Sequence, residues 1–208
     1  MLTLYDFHDS GNGYKVRLLL HLLRRPYRYV EVNILKGESR TEDFYKLNPN
    51  GRIPVLKLED GRTLAESNAM LYYLALGSEL WPADEFAQAQ LMSWLFFEQY
   101  SHEPNIATSR FLLRHRELDD SVRGLLEQKK APGSAALALL EAQLARTEYL
   151  VGDHLSIADI ALYAYTHVAP EGGFDLSPYP GIGRWLKRIA SHERYVPLTH
   201  TDGPPAAA

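Results

Sequence analysis

Apolar residues fall in short alternating runs over the first third of the chain and at helical spacing over the rest. Leu2-Thr-Leu-Tyr reads as a strand. After the loop Asp9-Ser-Gly-Asn-Gly, the positions Val16, Leu19, Leu20 and Leu23 recur as one face of a helix. Tyr27-Arg-Tyr-Val-Glu-Val alternates again, so two strands joined through a helix predict a right-handed crossover and a parallel pair. The stretch 33–40 reads as polar loop and Thr41 to Leu47 as a brief helix. From Asn48 to Ser67 the pattern is turn, strand, turn, strand and helix start. Asn-Pro and Asn-Gly open it, Pro-Val-Leu-Lys-Leu is strand-like, and Glu-Asp-Gly-Arg closes a hairpin. Pro54 has no N–H for a sheet ladder, which puts it at a first or edge position and leaves the Ile53 backbone available to a ligand. Met70, Leu71 and Leu74 mark the helix that follows, with Ser67 at its N-terminus.

Beyond Leu76-Gly-Ser-Glu-Leu-Trp-Pro no strand pattern returns. Helices are predicted over about 84–113, bent near Pro104, then 118–130, 134–149, 156–168 and 181–191. Ala131-Pro-Gly-Ser separates two of them, with Ser134 as a cap, and Ser156-Ile-Ala-Asp159 is a capping box opening a nearly wholly apolar helix. The β-α-β-α-β-β-α order of the first half is the thioredoxin-like one. The expected architecture is an α/β thioredoxin-like N-terminal domain (1–76), a linker (77–86), an all-α helical-bundle C-terminal domain (87–200) and a flexible tail (201–208).

Composition narrows the function. A chain of 208 residues with 46% hydrophobic and 11% aromatic side chains can pack a sizeable core, and a formal net charge of -4 argues against nucleic acid or an acidic membrane as partner. With no cysteine, disulfides, thiolate metal sites and a cysteine nucleophile are excluded, so any sulfur chemistry must come from a bound thiol. The eight histidines are scattered without an i, i+4 pair, and no metal is expected. No apolar run approaches a membrane span and the first residues enter a strand directly, so the expected location is the cytoplasm.

Asn-Pro, Ile53-Pro54, the Asp-Gly hairpin and Glu66-Ser67-Asn-Ala together resemble the glutathione-binding half of the cytosolic glutathione S-transferase family, in particular its bacterial theta- and nu-like members. The resemblance implies a cis Pro54, glutathione as co-substrate, a small electrophile or peroxide as second substrate, and a homodimer. Glutathione has two carboxylates, one ammonium and a thiol. On the family pattern Glu66 meets the γ-glutamyl ammonium, and Ser67 with the helix end meets the γ-glutamyl carboxylate. Ile53 would pair with the cysteinyl backbone as an added strand rung, and Lys36 and Arg52 would meet the glycyl carboxylate. Asn50 and Gly51 stand where some relatives carry glutamine and histidine.

A free thiol has a pKa of about 8.5, so a donor to the sulfur is needed to hold the thiolate at neutral pH. Counting back from Val16, Ser10 matches the serine of theta-like members, and Asn12 is the rival donor, an asparagine kept by some disulfide-reducing relatives. The second substrate is expected between the halves, near Trp94, Phe97, Tyr100, His102 and Arg110. Ser156 and Asp159 are assigned to folding. Conjugation, glutathione-dependent peroxide or disulfide reduction, and a non-catalytic interaction module of the same fold are the readings left open.

Overall fold

In the computed structural model, which describes residues 1–205, a four-stranded sheet has the order β2-β1-β3-β4. Strand β1 (Leu2–Asp6) runs parallel to β2 (Tyr27–Glu31), while β3 (Val55–Lys57) is antiparallel to β1 and to β4 (Thr63–Leu64). Helices α1 (Gly11–Leu22) and α3 (Ser67–Ala75) pack together, and α2 (Glu42–Leu47) is short. Alternation along β1 and β3 buries Leu2, Leu4 and Leu56, and α1 buries Val16 and Leu18 to Leu20. A smaller cluster of Val32, Phe44 and Val55 takes in the half-buried Ile53. The Ile53–Pro54 bond is cis, and β3 starts at the next residue. Residues 33–40, read as plain loop, form two short 3-10 turns, because Asn33 Oδ1 accepts from the N–H groups of Leu35 and Lys36.

The second compact unit, Glu79–His192, is helical throughout its described residues apart from turns. Helix α4 (Glu85–Phe97) passes into a π-helical turn at Glu98–His102, where the Glu103 N–H donates to the Glu98 carbonyl, and continues as α5 (Glu103–His115). Pro104 lies in the first turn of α5, where a missing N–H costs least. Helix α6 (Asp120–Leu144) is one element, against the expected break at 131–134. Proline normally breaks a helix, but Gly133 here serves packing and not a turn: a Cβ on it would lie 2.4 Å from the Phe174 ring. The apolar face of Ala136, Leu137, Leu140 and Leu144 is buried beyond it, so tertiary packing overrides the local stop signal and Ser134 caps nothing.

Helix α7 (Ile157–Thr166) is buried along its whole length, with α4 and α5 against it. Its capping box forms. The Asp159 carboxylate accepts from the Ser156 N–H and hydroxyl, from the Leu150 N–H and from the indole of Trp185 on α8 (Pro180–Ala190), all at 2.9 Å. No described helix is long and apolar enough to cross a membrane.

Residues 193–205 belong by their contacts to the first unit, Met1–Ser78, not to the helical one. Thr201 and Asp202, within the expected tail, accept hydrogen bonds through their carbonyls from Tyr27 and His21; residues 206–208 of that tail lie outside the described residues.

Asp159→Ala strips one acceptor from four buried donors. The expected cost is about 3 kcal/mol or more, a Tm loss of roughly 6 to 12 °C in a thermal melt.

Candidate functional site

Ser10 is the N-cap of α1: its backbone is extended and its Oγ accepts from the Gly13 N–H at 3.2 Å. Among the described residues its hydroxyl donates to no protein group. Gly13 is required by what lies beneath the turn. A Cβ there would come within 1.7 Å of the Asp6 carboxylate.

Lys15 of α1, fully buried, lies beneath this turn. The Lys15 ammonium lies 3.4 Å from Ser67 Oγ and 3.5 Å from Asn68 Oδ1, and Ser67 Oγ is 3.2 Å from Asn12 Oδ1. An ammonium only donates, so the Ser67 oxygen accepts from Lys15 and passes its own proton to Asn12 Oδ1. With Oδ1 engaged by Ser67, the orientation of the Asn12 amide and of its NH2 donor end is fixed. The chain Lys15 to Ser67 to Asn12 ties the first turn of α1 to the first residue of α3, 52 to 55 positions away.

Glu66 immediately precedes α3 with φ 67 and ψ 112, a left-handed backbone rare outside glycine, and its side chain is exposed. Such a conformation costs on the order of 1–3 kcal/mol and persists where surrounding structure demands it, commonly at ligand sites. Before Pro54 the turn is equally determined. Buried Asn48 accepts from the Asn50 N–H and donates to the Arg52 carbonyl, and Gly51 has φ 62 with no room for a side chain beside Arg40 and Tyr45. Lys36 closes the first 3-10 turn, and both its side chain and that of Arg52 are exposed.

Arg17, 0% exposed, sets its Nε 3.1 Å from the equally buried Asp6 Oδ2. Burial, opposed by Arg17, lifts the Asp6 carboxyl from its ordinary 3.8 to about 7. Lys15 and Arg17 were missed as site elements in the sequence. The signal available was two cations flanking Val16 inside an apolar helical run.

The expected second-substrate residues do not gather. Tyr100 is 88% exposed on the π turn. His102 and Arg110 are buried inside the helical unit, His102 Nε2 2.9 Å from Thr166 Oγ1 and Arg110 Nε donating to Glu171 at 2.8 Å. Both make these contacts inside the helical unit, His102 from the π turn and Arg110 from α5. Trp94 and Phe97 form a T-shaped ring pair. Among the described residues no group of three His, Cys, Asp or Glu side chains could hold a metal ion.

A parallel-antiparallel four-stranded sheet, a cis proline at the head of β3 and a strained acid at the start of α3 define the class: a thioredoxin-like domain followed by helices. Models of the glutathione S-transferase N-terminal domain and C-terminal domain match residues 10–76 and 106–193. The crystal structure of a glutathione S-transferase from Pseudomonas fluorescens is 52% identical, with 96% of this chain and 99% of that one covered and a TM-score of 0.94. The chain belongs to the glutathione S-transferase family. It is also similar to the disulfide-bond oxidoreductase YfcG of Escherichia coli, at 27% identity over 92% of this chain and 91% of that protein. A structure of Ure2p in complex with glutathione is 25% identical, with 93% and 90% covered and a TM-score of 0.83.

The Asp6 shift sets a pH dependence. A carboxyl raised above its unfolded value stabilises the fold below about pH 4, and that contribution is lost as pH rises through about 7. In denaturant unfolding from about pH 4 to about pH 8, the stability difference between the wild-type chain and Asp6→Asn should change by about 2 to 4 kcal/mol, the wild type losing ground as pH rises.

Proposed function

We propose that the chain binds glutathione and holds its thiol as the thiolate for attack on small electrophiles, a glutathione transferase acting in detoxification. The observation that carries this reading is the Lys15–Ser67–Asn12 chain, which brings the α1 and α3 N-termini into one polar site next to the strained Glu66. Two helix N-termini favour anions, and the ligand offers a carboxylate and a thiolate. In this reading Ser67 and the α3 end take the γ-glutamyl carboxylate, Glu66 the ammonium, Ile53 with Pro54 the cysteinyl backbone, and Lys36 and Arg52 the glycyl carboxylate. Ser10 donates to the sulfur, with Asn12 as the second donor. The thiolate then forms a C–S bond as the leaving group departs with its electron pair. No metal enters this chemistry.

The similarity to YfcG and the donor end of Asn12 favour one second reading, glutathione-dependent reduction. There the same thiolate attacks a disulfide sulfur, forming a mixed disulfide and releasing one thiolate, and a second glutathione thiolate attacks the glutathione sulfur of that pair, releasing the other thiolate as the two glutathiones leave as their disulfide. The similarity to Ure2p keeps a third reading testable, a non-catalytic interaction module of the same fold. A calorimetric titration silent at millimolar glutathione would rule out both glutathione-dependent reactions and leave the interaction module. Each reading carries a cytoplasmic location, where thiols stay reduced.

Ser10→Ala should raise the pKa of the bound thiol by about one unit and slow turnover near neutral pH about tenfold, with glutathione affinity kept within severalfold. Glu66→Ala should weaken binding first. An unchanged pH profile in Ser10→Ala with loss of activity in Asn12→Ala would move the donor role to Asn12.

The same reading includes a homodimer, the first half of one copy facing the helices of the other. It is supported by two exposed aromatic faces, Tyr72, Tyr73 and Leu76 at α3 and, separately, Phe86, Phe96 and Tyr100 along α4 and the π turn. Light scattering at micromolar concentration should return twice the chain mass.

A further inference from the structure

From Glu193 the chain runs along α1 and is held there through its main chain. The Tyr14 hydroxyl donates to the Val196 carbonyl at 2.6 Å, Arg17 Nη1 to those of Leu198 and His200 at 2.6 and 2.7 Å, and His21 Nε2 lies 2.8 Å from that of Asp202. Tyr14, Arg17 and His21 stand at i, i+3 and i+7, one face of the helix. Tyr27 on β2 donates to the Thr201 carbonyl at 3.0 Å, Arg194 returns a bond to the Leu22 carbonyl, and a Cβ on Gly203 would lie 2.4 Å from the Tyr27 oxygen. Five separate carbonyls of this segment are therefore matched to donors on α1 and β2, a fit that depends on the backbone path and not on its side chains.

The other edge of the same guanidinium faces the loop that carries Ser10. Arg17 Nη2 donates to the His8 carbonyl at 2.9 Å and to the Ser10 carbonyl at 3.4 Å, while Nε faces Asp6. A guanidinium is a rigid planar fork. Its Nη1 edge cannot turn without moving its Nη2 edge, so the position of 198–200 and the position of 8–10 are set by one group. From the opposite side His8 is fastened by its N–H and Nδ1 to the two oxygens of Glu31, which leaves the Arg17 side as the adjustable one.

We propose that Arg17 is the positioning residue for the Ser10 hydroxyl and that the segment 196–202 is the brace holding Arg17 in place. The inference rests on the glutathione reading for the role of Ser10, and on geometry alone for the link between the two segments. A donor to a thiolate acts over a narrow range of distance, and a displacement of 1 Å at a reacting group can cost up to about a hundredfold in rate. Removing the fork should thus change ionisation of the bound thiol more than affinity for glutathione.

The test uses the full chain with Arg17→Lys, which keeps a cation against Asp6 and loses the fork, and Tyr14→Phe, which keeps the ring and removes the hydroxyl that donates to Val196. Three readouts are taken: hydrogen exchange over 8–10 and 196–202, the absorbance titration of the thiol of bound glutathione, and the rate with an activated aryl chloride against calorimetric affinity. In Arg17→Lys, exchange should speed up in both segments together, the bound thiol pKa should rise by about one unit, and the rate near neutral pH should fall about tenfold with affinity within about threefold. Tyr14→Phe should shift all of these in the same direction by about two- to threefold, and it decides the matter if Arg17→Lys does not fold. Faster exchange in 196–202 alone, with an unchanged thiol pKa, would overturn the proposal and leave Arg17 a structural residue. If the wild-type chain takes up no glutathione, the transferase reading fails and the brace is judged by exchange alone, coupled loosening supporting it and uncoupled loosening ending it.

Discussion

A guanidinium with no access to solvent must find a partner for every edge, and Arg17 finds one carboxylate and four main-chain carbonyls. Desolvating such a pair costs several kcal/mol per ion, so the pair with Asp6 is better understood as a source of specificity than of stability. What it specifies is the meeting of β1, the loop after it, α1 and the returning segment. Take away that group and three stretches of chain lose their common reference. Asp6 pays its share in a raised pKa, and Gly13 is confined to a glycine by the carboxylate below it.

The first turn of α1 shows how one local device serves folding and, on the proposed reading, chemistry. Ser10 uses its oxygen as an ordinary N-cap acceptor, which satisfies one of the orphan N–H groups of the helix, and on that reading the same hydroxyl donates to the bound sulfur. Asn12, one turn position on, is oriented from behind by Ser67 and Lys15. Two candidate donors are thus presented from a rigid helix start, with a buried cation beneath them. A loop alone could not hold them as closely.

Buried polar groups in the helical unit have a different role. Asp159 gathers four donors at the start of α7, His102 meets Thr166, and Arg110 meets Glu171. Each closes a contact between helices. The π turn at 98–102 turns the chain before Pro104 and brings both Glu98 and His102 inside. That leaves Phe86, Phe96 and Tyr100 on the outside of the same helical stretch, where an apolar face invites a partner.

Local chemistry made much of this legible from the sequence. Alternation and helical spacing mark β1, α1, β2 and α3, Pro54 and the Asp-Gly turn mark the hairpin, and Ser156 with Asp159 marks the start of α7, because each signal acts over a few residues along the chain. Family resemblance carried the cis Pro54 and the Glu66–Ser67 pair. Tertiary structure alone decided the rest. Helix α6 continues through Pro132 because Phe174 and a buried apolar face reward it, and His102 and Arg110 turn inward because Thr166 and Glu171 lie there, about 60 positions away. The segment after Glu193 is held by donors more than 170 positions earlier, and its acceptors are carbonyls, which every residue has. No side-chain pattern can announce a bond made by the backbone, so that part of the site became visible only when the chain was folded.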